Sequence, residues 1–146
     1  MKVSIMLIVF SAILISGCAT QPPSADEIKV APSERLYNKD LRTMSSDRTI
    51  PVTITRDAGF LGSLATVFLK IDGEYVVWLN TREEITIYLE PGGYVFELVN
   101  ALCPDSQYCV FPTDVTIKPG FKNNFRILFN NSNGLILARA STAGSI

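Results

Sequence analysis

The sequence of 146 residues contains no histidine, one tryptophan and three cysteines. The absence of histidine removes the side chain that most often serves as a general base and as a transition-metal ligand. The charges nearly balance, with 13 lysines and arginines against 14 aspartates and glutamates. Nucleic-acid binding needs a clustered basic surface, for which this composition gives no indication. The sequence therefore predicts no metal site, no cofactor and no nucleic-acid partner.

The N-terminus carries a targeting signal. Lys2 precedes an uninterrupted run of apolar and small residues over 3–15, which is typical of a secretory signal peptide. The run is too short for a transmembrane helix, which needs about 20 apolar residues. It ends in Leu14-Ile15-Ser16-Gly17-Cys18, which matches the lipobox of bacterial lipoproteins at every position.

This resemblance to bacterial lipoproteins implies cleavage before Cys18, a diacylglycerol on its sulfur and acylation of the new amino group. Two or three acyl chains anchor a protein permanently in the membrane, whereas a single chain anchors it only marginally. Ala19 follows the cysteine in place of the aspartate that commonly retains such proteins in the inner membrane. The resemblance thus implies an outer-membrane lipoprotein that faces the periplasm. The alternative is an ordinary secretory signal in which Cys18 is incidental.

Three regions follow along the chain. We predict a cleaved signal peptide over 1–17, a flexible lipidated tether over 18–48 and one folded domain over 49–146. The tether is polar and is interrupted by Pro22, Pro23 and Pro32. A short helix over 34–41, capped by Ser33, is an alternative within it. Removal of 17 residues from 146 leaves 129, enough for one domain with a modest core.

Beyond Thr49 the sequence alternates between short β-rich runs and turn residues. Asp72-Gly73 is the strongest hairpin signal, because a type I′ turn needs positive φ at both central residues. The pattern predicts an all-β domain, a single antiparallel β-sandwich of about eight strands. The apolar run around Trp78 predicts that its hairpin is central and that Trp78 lies in the core. The predicted strands are 51–56, 66–71, 74–80, 84–89, 94–99, 114–117, 123–129 and 135–140.

The order of several motifs resembles a known family. The motifs are Arg56-Asp57-Ala58-Gly59-Phe60-Leu61-Gly62-Ser63, Ile71-Asp72-Gly73, Leu89-Glu90-Pro91-Gly92-Gly93-Tyr94, Lys118-Pro119-Gly120 and Phe125-Arg126-Ile127. Together they resemble, over about residues 53–137, the small β-sandwich domains of uncharacterised Gram-negative lipoproteins related to PEGA-type domains. The chain departs from that family at Leu64-Ala65, where the family has a cysteine, and at Cys103 and Cys109, which replace a glycine-rich cysteine motif. The resemblance implies a fold and an envelope location, but no reaction.

No combination of residues indicates catalysis, so we predict no catalytic residues and a protein that is not an enzyme. The serines have no histidine to activate them. The glycines near Ser63 lack the lysine and the helix of a phosphate-binding loop, which favours a connecting loop fixed by Arg56 and Asp57. The carboxylates are spread over separate strands and turns and indicate a solvated face rather than a convergent acid–base pair: Asp72, Glu74, Glu83, Glu84 and Glu90.

Cys103 and Cys109 are the only thiols that remain once Cys18 is acylated. In an oxidising compartment this even number predicts a disulfide, and the alternative is two buried thiols on facing strands. The two longest loops, 58–63 and 102–112, carry apolar side chains that we predict to form a contact surface. The candidate contact residues are Phe60, Leu61, Tyr108 and Phe111.

These features predict a membrane-anchored envelope lipoprotein that acts as a binding or structural module in the periplasm. Its partners would be membrane lipid, through acylated Cys18, and another envelope protein. A second hypothesis is a phage-exclusion lipoprotein that blocks an outer-membrane receptor. A third is a hydrolase with an unrecognised carboxylate site.

Replacement of Cys18 by alanine tests the lipobox. We expect the Cys18→Ala precursor to remain unprocessed and to incorporate no radiolabelled palmitate, because the lipid acceptor is gone. Labelling of cells with palmitate, followed by immunoprecipitation, measures this directly. Normal maturation of the variant and an unchanged membrane fraction would contradict the predicted anchor.

Overall fold

The computed structural model describes residues 22–59, 65–130 and 134–140. Cys18 and its lipobox lie outside this part of the chain. The described residues form nine strands: β1 (Lys29–Val30), β2 (Ile50–Arg56), β3 (Val67–Ile71), β4 (Glu74–Leu79), β5 (Glu83–Leu89), β6 (Gly92–Asn100), β7 (Val110–Ile117), β8 (Asn123–Asn130) and β9 (Gly134–Arg139). Short 3₁₀ turns occupy Ser33–Arg35, Lys39–Arg42 and Gln107–Cys109. No helix in these described ranges has the length and apolar character needed to cross a membrane.

The strands form two sheets that pack face to face. One sheet has the order β1-β5-β2-β8-β9, and the other has the order β4-β3-β6-β7. Most neighbours are antiparallel, but β1 pairs with β5, and β2 with β8, in parallel. The predicted β-sandwich is confirmed, and each of the eight predicted runs forms a strand. The two parallel pairs escape a sequence analysis because side chains alternate with the same period in both kinds of pairing.

Alternating side chains build the core between the sheets. In β2, Val52 and Ile54 are fully buried, while the alternate residues Thr53 and Thr55 point outward. Leu69 of β3 and Phe96 of β6 are equally buried on the opposing sheet. Each such aliphatic or aromatic side chain contributes about 1.5–3 kcal/mol when it is removed from water. The inward faces of the two sheets therefore supply most of the stabilising free energy.

The hairpin between β3 and β4 has the geometry that its sequence predicted. Asp72 and Gly73 have φ values of 50° and 84°, so both central residues are in the left-handed region that a type I′ turn requires. The Asp72 carboxylate also accepts a hydrogen bond from the backbone N–H of Val95, at 2.8 Å. This bond joins the turn to the neighbouring strand β6.

Strand β4 lies at the edge of its sheet, not at the centre as predicted, and residues 31–37 cover that edge. Leu36 forms an antiparallel bridge with Val77, and the N–H of Tyr37 donates to the carbonyl of Val76 at 2.9 Å. A few residues earlier, the N–H of Ala31 donates to the carbonyl of Glu84 on the five-stranded sheet. The segment thus crosses from one sheet to the other and satisfies backbone groups that an open edge would leave unpaired.

This packing corrects the predicted tether, because residues 29–48 belong to the folded domain. Ala31 and Leu36 are 1% and 4% exposed and lie in the hydrophobic core. Two 3₁₀ turns, Ser33–Arg35 and Lys39–Arg42, replace the helix that Ser33 was expected to cap. Isolated apolar residues in a polar stretch have no periodicity, so the sequence did not reveal their burial.

Trp78 is also placed differently from the prediction. It lies half-buried on the outer side of β4, and the guanidinium carbon of Arg35 lies 4.1 Å from the centroid of its ring. Residues on the outer face of β4 are apolar because the N-terminal segment packs over them, as the contact between the Tyr37 and Tyr75 rings also indicates.

Truncation of Leu36 tests whether the N-terminal segment is part of the fold. We expect Leu36→Ala to lower the free energy of unfolding by about 2–4 kcal/mol, because it removes a buried side chain and leaves a cavity. Met44→Ala is the matched control, since Met44 belongs to the same segment and is 65% exposed. Urea denaturation measures the free energy of unfolding of both variants. Equal values would contradict the packing of the segment and support a free tether.

Candidate contact surfaces

The sandwich has two ends that carry different loops. Val99 pairs with Val110, so the loop between β6 and β7 leaves from one end, which we call the disulfide end. Gly92 pairs with Ile117, so the loop between β7 and β8, residues 118–122, lies at the opposite end. We call this second end the Phe121 end. The candidate surfaces are described from these two ends.

The predicted disulfide between Cys103 and Cys109 is present and closes a short loop at the disulfide end, with 6.0 Å between the two Cα atoms. Backbone hydrogen bonds shape the loop from within. The N–H of Cys103 donates to Asn100, that of Ser106 donates to Cys103, and that of Cys109 donates to Ser106. A covalent bridge together with three turn bonds leaves this loop few alternative conformations.

Two apolar side chains project from the disulfide loop. Tyr108 is 83% exposed and Leu102 is 76% exposed. Leu102 precedes Cys103 and Tyr108 precedes Cys109, and the two cysteine Cα atoms lie 6.0 Å apart. Because consecutive Cα atoms are about 3.8 Å apart, the Cα atoms of Leu102 and Tyr108 lie within about 14 Å of each other. Both side chains can therefore reach a single partner.

Phe111, which was predicted as a contact residue, packs against the core instead. Its ring lies over Gly134 at the start of β9, where an added Cβ would approach the ring carbons to 2.5 Å. Gly134 also has a φ of +74°, so glycine is required there both by its conformation and by Phe111. Phe60 and Leu61, the other candidates, lie outside the described residues.

A cluster of charged side chains is buried at the disulfide end. Arg56 at the end of β2 donates from Nη1 to the carbonyl of Leu79 in the other sheet, at 2.8 Å. Glu83 at the start of β5 accepts from Arg35 and, at 2.7 Å, from the N–H of Asn80. The cluster therefore joins both sheets and the N-terminal segment. Its burial corrects the prediction that Glu83 belongs to a solvated face.

Burial lowers the pKa of Arg56 to about 10, because desolvation disfavours the charged guanidinium more strongly than the nearby Glu83 carboxylate favours it. Arg56 nevertheless remains protonated at neutral pH. A buried charge is stable only with an opposite charge and hydrogen-bond partners close to it. The Glu83 carboxylate and the Leu79 carbonyl meet this need for Arg56.

Asp57 forms a second buried ion pair, with Arg126 of β8. The carboxylate accepts two hydrogen bonds from the guanidinium, one of them from Nε at 2.8 Å. The expected role of Arg56 and Asp57 in fixing the loop over 58–63 stays a prediction, because residues 60–63 lie outside the described part of the chain. The signal that was missed is Phe125-Arg126-Ile127, in which an arginine lies between core residues of a predicted strand.

Two of the carboxylates that the sequence assigned to a solvated face have separate partners in the described structure. Glu84 accepts a hydrogen bond from the hydroxyl of Thr55 on the outer face of the sheet, and Asp72 is engaged in its hairpin. In the ranges that the structure describes, no group of three histidine, cysteine, aspartate or glutamate side chains could hold a metal ion.

The Phe121 end carries an open cleft of about 780 Å³. Arg139 forms one wall, where its guanidinium donates to the carbonyls of Thr116 and Lys122 and lies 4.7 Å from the centroid of the Phe125 ring. Phe121 is 67% exposed at the rim. Three basic residues and no acidic residue of the described chain line this cleft: Lys118, Lys122 and Arg139. The sequence analysis missed the cleft because it interpreted Lys118-Pro119-Gly120 as a turn alone.

Truncation of Arg126 tests the buried pair at the disulfide end. We expect Arg126→Ala to lower the free energy of unfolding by about 3 kcal/mol, because it strands the Asp57 carboxylate, whose side chain is 1% exposed. Arg82→Ala is the control, since the Arg82 side chain is 51% exposed and its 3.6 Å contact with Glu27 contributes less than about 1 kcal/mol. Thermal and urea unfolding compare the two, and similar losses would mean that the Asp57 pair is not a stabilising contact.

Comparison with known proteins yields no relative. No protein-family model, no curated protein sequence and no solved structure matches the chain. The resemblance to PEGA-type lipoprotein domains thus stays a prediction, and the surfaces described above are the basis for any functional conclusion.

Proposed function

We propose that this protein is a lipid-anchored envelope lipoprotein whose domain binds a partner protein in the periplasm through the disulfide end. The observation that carries the proposal is the exposure of Tyr108 and Leu102 on a loop closed by a disulfide. The anchor rests on the complete lipobox at Cys18.

The physical support is the combination of rigidity and apolar surface. Most large apolar side chains of the domain are in the core, whereas these two are exposed, and each is adjacent in sequence to a cysteine of the same disulfide. A loop that is already ordered loses little conformational entropy on binding, so more of the contact energy remains as affinity. Tyrosine is among the residues that most often dominate protein interfaces.

The charged groups near the loop support binding over catalysis. Arg56, Glu83 and Asp57 are buried, and their polar atoms are engaged with partners inside the domain. Groups held in this way stabilise the platform beneath the loop and are not presented to a substrate. A binding role requires only the exposed side chains and a stable scaffold.

Site-specific crosslinking tests the proposal in intact envelopes. A photoreactive phenylalanine analogue at position 108 is expected to give one discrete adduct with an envelope protein, because this side chain points into solvent on the contact loop. The same analogue at position 44, which is exposed on the N-terminal segment, is the matched control. Mass spectrometry identifies the adduct, and identical adducts from both positions would contradict a specific surface. An outer-membrane receptor as the adduct would favour the phage-exclusion hypothesis over an assembly partner.

Truncation of both exposed side chains gives the energetic test. We expect Leu102→Ala combined with Tyr108→Ala to weaken binding to the crosslinked partner by at least about tenfold, the usual scale for a hot spot, with little change in melting temperature. Phe111→Ala, in the same region but packed on the core, is expected to lower the melting temperature instead. If binding by the double variant falls only in proportion to its folded fraction, the disulfide loop is not the contact surface.

A further inference from the structure

The described chain begins against the outer face of the five-stranded sheet. Residues from its first part, from the three strands β2, β5 and β8 and from the position after β9 line a cavity of about 150 Å³ there: Pro22, Pro23, Ile28, Thr53, Thr55, Glu84, Asn124, Phe125, Arg126 and Ala140. Ala140 also lines the cleft at the Phe121 end. The start of the described chain thus lies beside that cleft.

The distance from this point to the lipidation position is short. Four residue steps separate Cys18 from Pro22, and four extended residues span at most about 14 Å. The N-terminal segment beyond Lys29 is packed on the sandwich and adds nothing to this length. A lipid on Cys18 would therefore hold the domain close to the membrane, with the face around Ala140 and residues 118–122 near the lipid surface.

The loop at residues 118–122 has the composition of a membrane-interface contact. Phe121 exposes 67% of its surface, and none of the ion pairs among the described residues involves Lys118 or Lys122. Aromatic side chains insert into the boundary between headgroups and acyl chains, and lysines bind the anionic phosphates beside it. The guanidinium of Arg139 is fixed nearby by its bonds to Thr116 and Lys122 and adds to the positive field.

We infer that residues 118–122 contact the anionic phospholipid surface in which the lipid on Cys18 is embedded. Phe121 enters the headgroup boundary, and Lys118 and Lys122 bind lipid phosphates on either side of it. This inference rests on the proposed anchor at Cys18. It adds to the proposed function an orientation of the domain on the membrane. The Phe121 end faces the membrane, and the disulfide end with Tyr108 faces away from it, toward a partner.

The experiment attaches the mature chain to lipid vesicles through Cys18, the residue that would carry the natural lipid. With Cys103 and Cys109 bridged, Cys18 is the single free thiol and can be coupled to a maleimide lipid. The vesicles contain phosphatidylethanolamine, phosphatidylglycerol and a lipid brominated in its acyl chains, which quenches tryptophan on contact. We compare Phe121→Trp with Tyr108→Trp, and the unchanged chain, which carries Trp78 alone, gives the background.

The added emission of Phe121→Trp is expected to shift to shorter wavelength and to be mostly lost on brominated vesicles, whereas that of Tyr108→Trp is unchanged. Addition of Lys118→Gln and Lys122→Gln to Phe121→Trp should reduce the equilibrium constant for membrane contact about 25-fold, since each basic side chain near an anionic surface favours contact about fivefold. Neutral phosphatidylcholine vesicles should reproduce the result of the lysine variants.

The outcomes separate the orientation from the anchor. Equal emission of Phe121→Trp on brominated and unbrominated vesicles would overturn the loop contact, even if palmitate labelling of Cys18 in cells succeeds. Quenching of Tyr108→Trp in place of Phe121→Trp would reverse the orientation and overturn the inference as well. Absence of palmitate labelling together with quenching of Phe121→Trp would instead refute the natural anchor and leave the membrane affinity of the loop established. Quenching that is insensitive to the two lysines would overturn their assignment to lipid phosphates.

Discussion

A buried positive charge constrains the whole disulfide end of the sandwich. Arg56 ends a strand of one sheet, yet its guanidinium donates to the carbonyl of Leu79 in the other sheet. Desolvation lowers its pKa only to about 10, so at neutral pH the charge persists and the fold must supply a counter-charge. Glu83 supplies it and is itself held by Arg35 of the N-terminal segment. The two sheets and the N-terminal segment therefore meet around the Arg56 guanidinium, and separation of the sheets would remove its hydrogen bond to Leu79.

The N-terminal segment and the buried charges make the domain a stiff platform. Leu36 and Tyr37 satisfy the free edge of β4, and Ala31 satisfies the edge of the other sheet, so the segment joins the sheets along one side. On the opposite side, Phe111 of β7 packs over Gly134 of β9. With both sides covered, the sheet edges are less open to pairing with another chain. The disulfide then stiffens the loop that carries Tyr108.

The sequence predicted those parts of the structure that depend on neighbouring residues. Alternation identified every strand of the two sheets except β1, and Asp72-Gly73 identified a turn, because these signals are local.

The features that the sequence did not reveal depend on tertiary contacts or on very short elements. Strand β1 was missed because two residues carry no periodicity. The sequence pattern misplaced Trp78 and Leu36, because their burial depends on the packing of the N-terminal segment against β4. The ion pairs of Arg35 with Glu83 and of Asp57 with Arg126 join residues far apart in the chain, and no local pattern indicates such partners. Tyr108 and Phe111 are close in sequence, yet Tyr108 is exposed on the disulfide loop whereas Phe111 belongs to β7 and packs over Gly134.

The near-neutral composition conceals an uneven distribution of charge, and this matters for orientation. A formal charge of −1 gave no reason to expect an electrostatic partner. In three dimensions, however, the arginines at the disulfide end are matched by Glu83 and Asp57, whereas Lys118, Lys122 and Arg139 line a cleft without a carboxylate among the described residues. Only an unmatched charge attracts an external anion, so this cleft is the part of the Phe121 end that can bind one. The short connection from Pro22 to Cys18 places that same end nearest the proposed lipid anchor. An anchored domain with this basic cleft toward an anionic membrane gains energy from both attachments, and the opposite orientation would lose the electrostatic one.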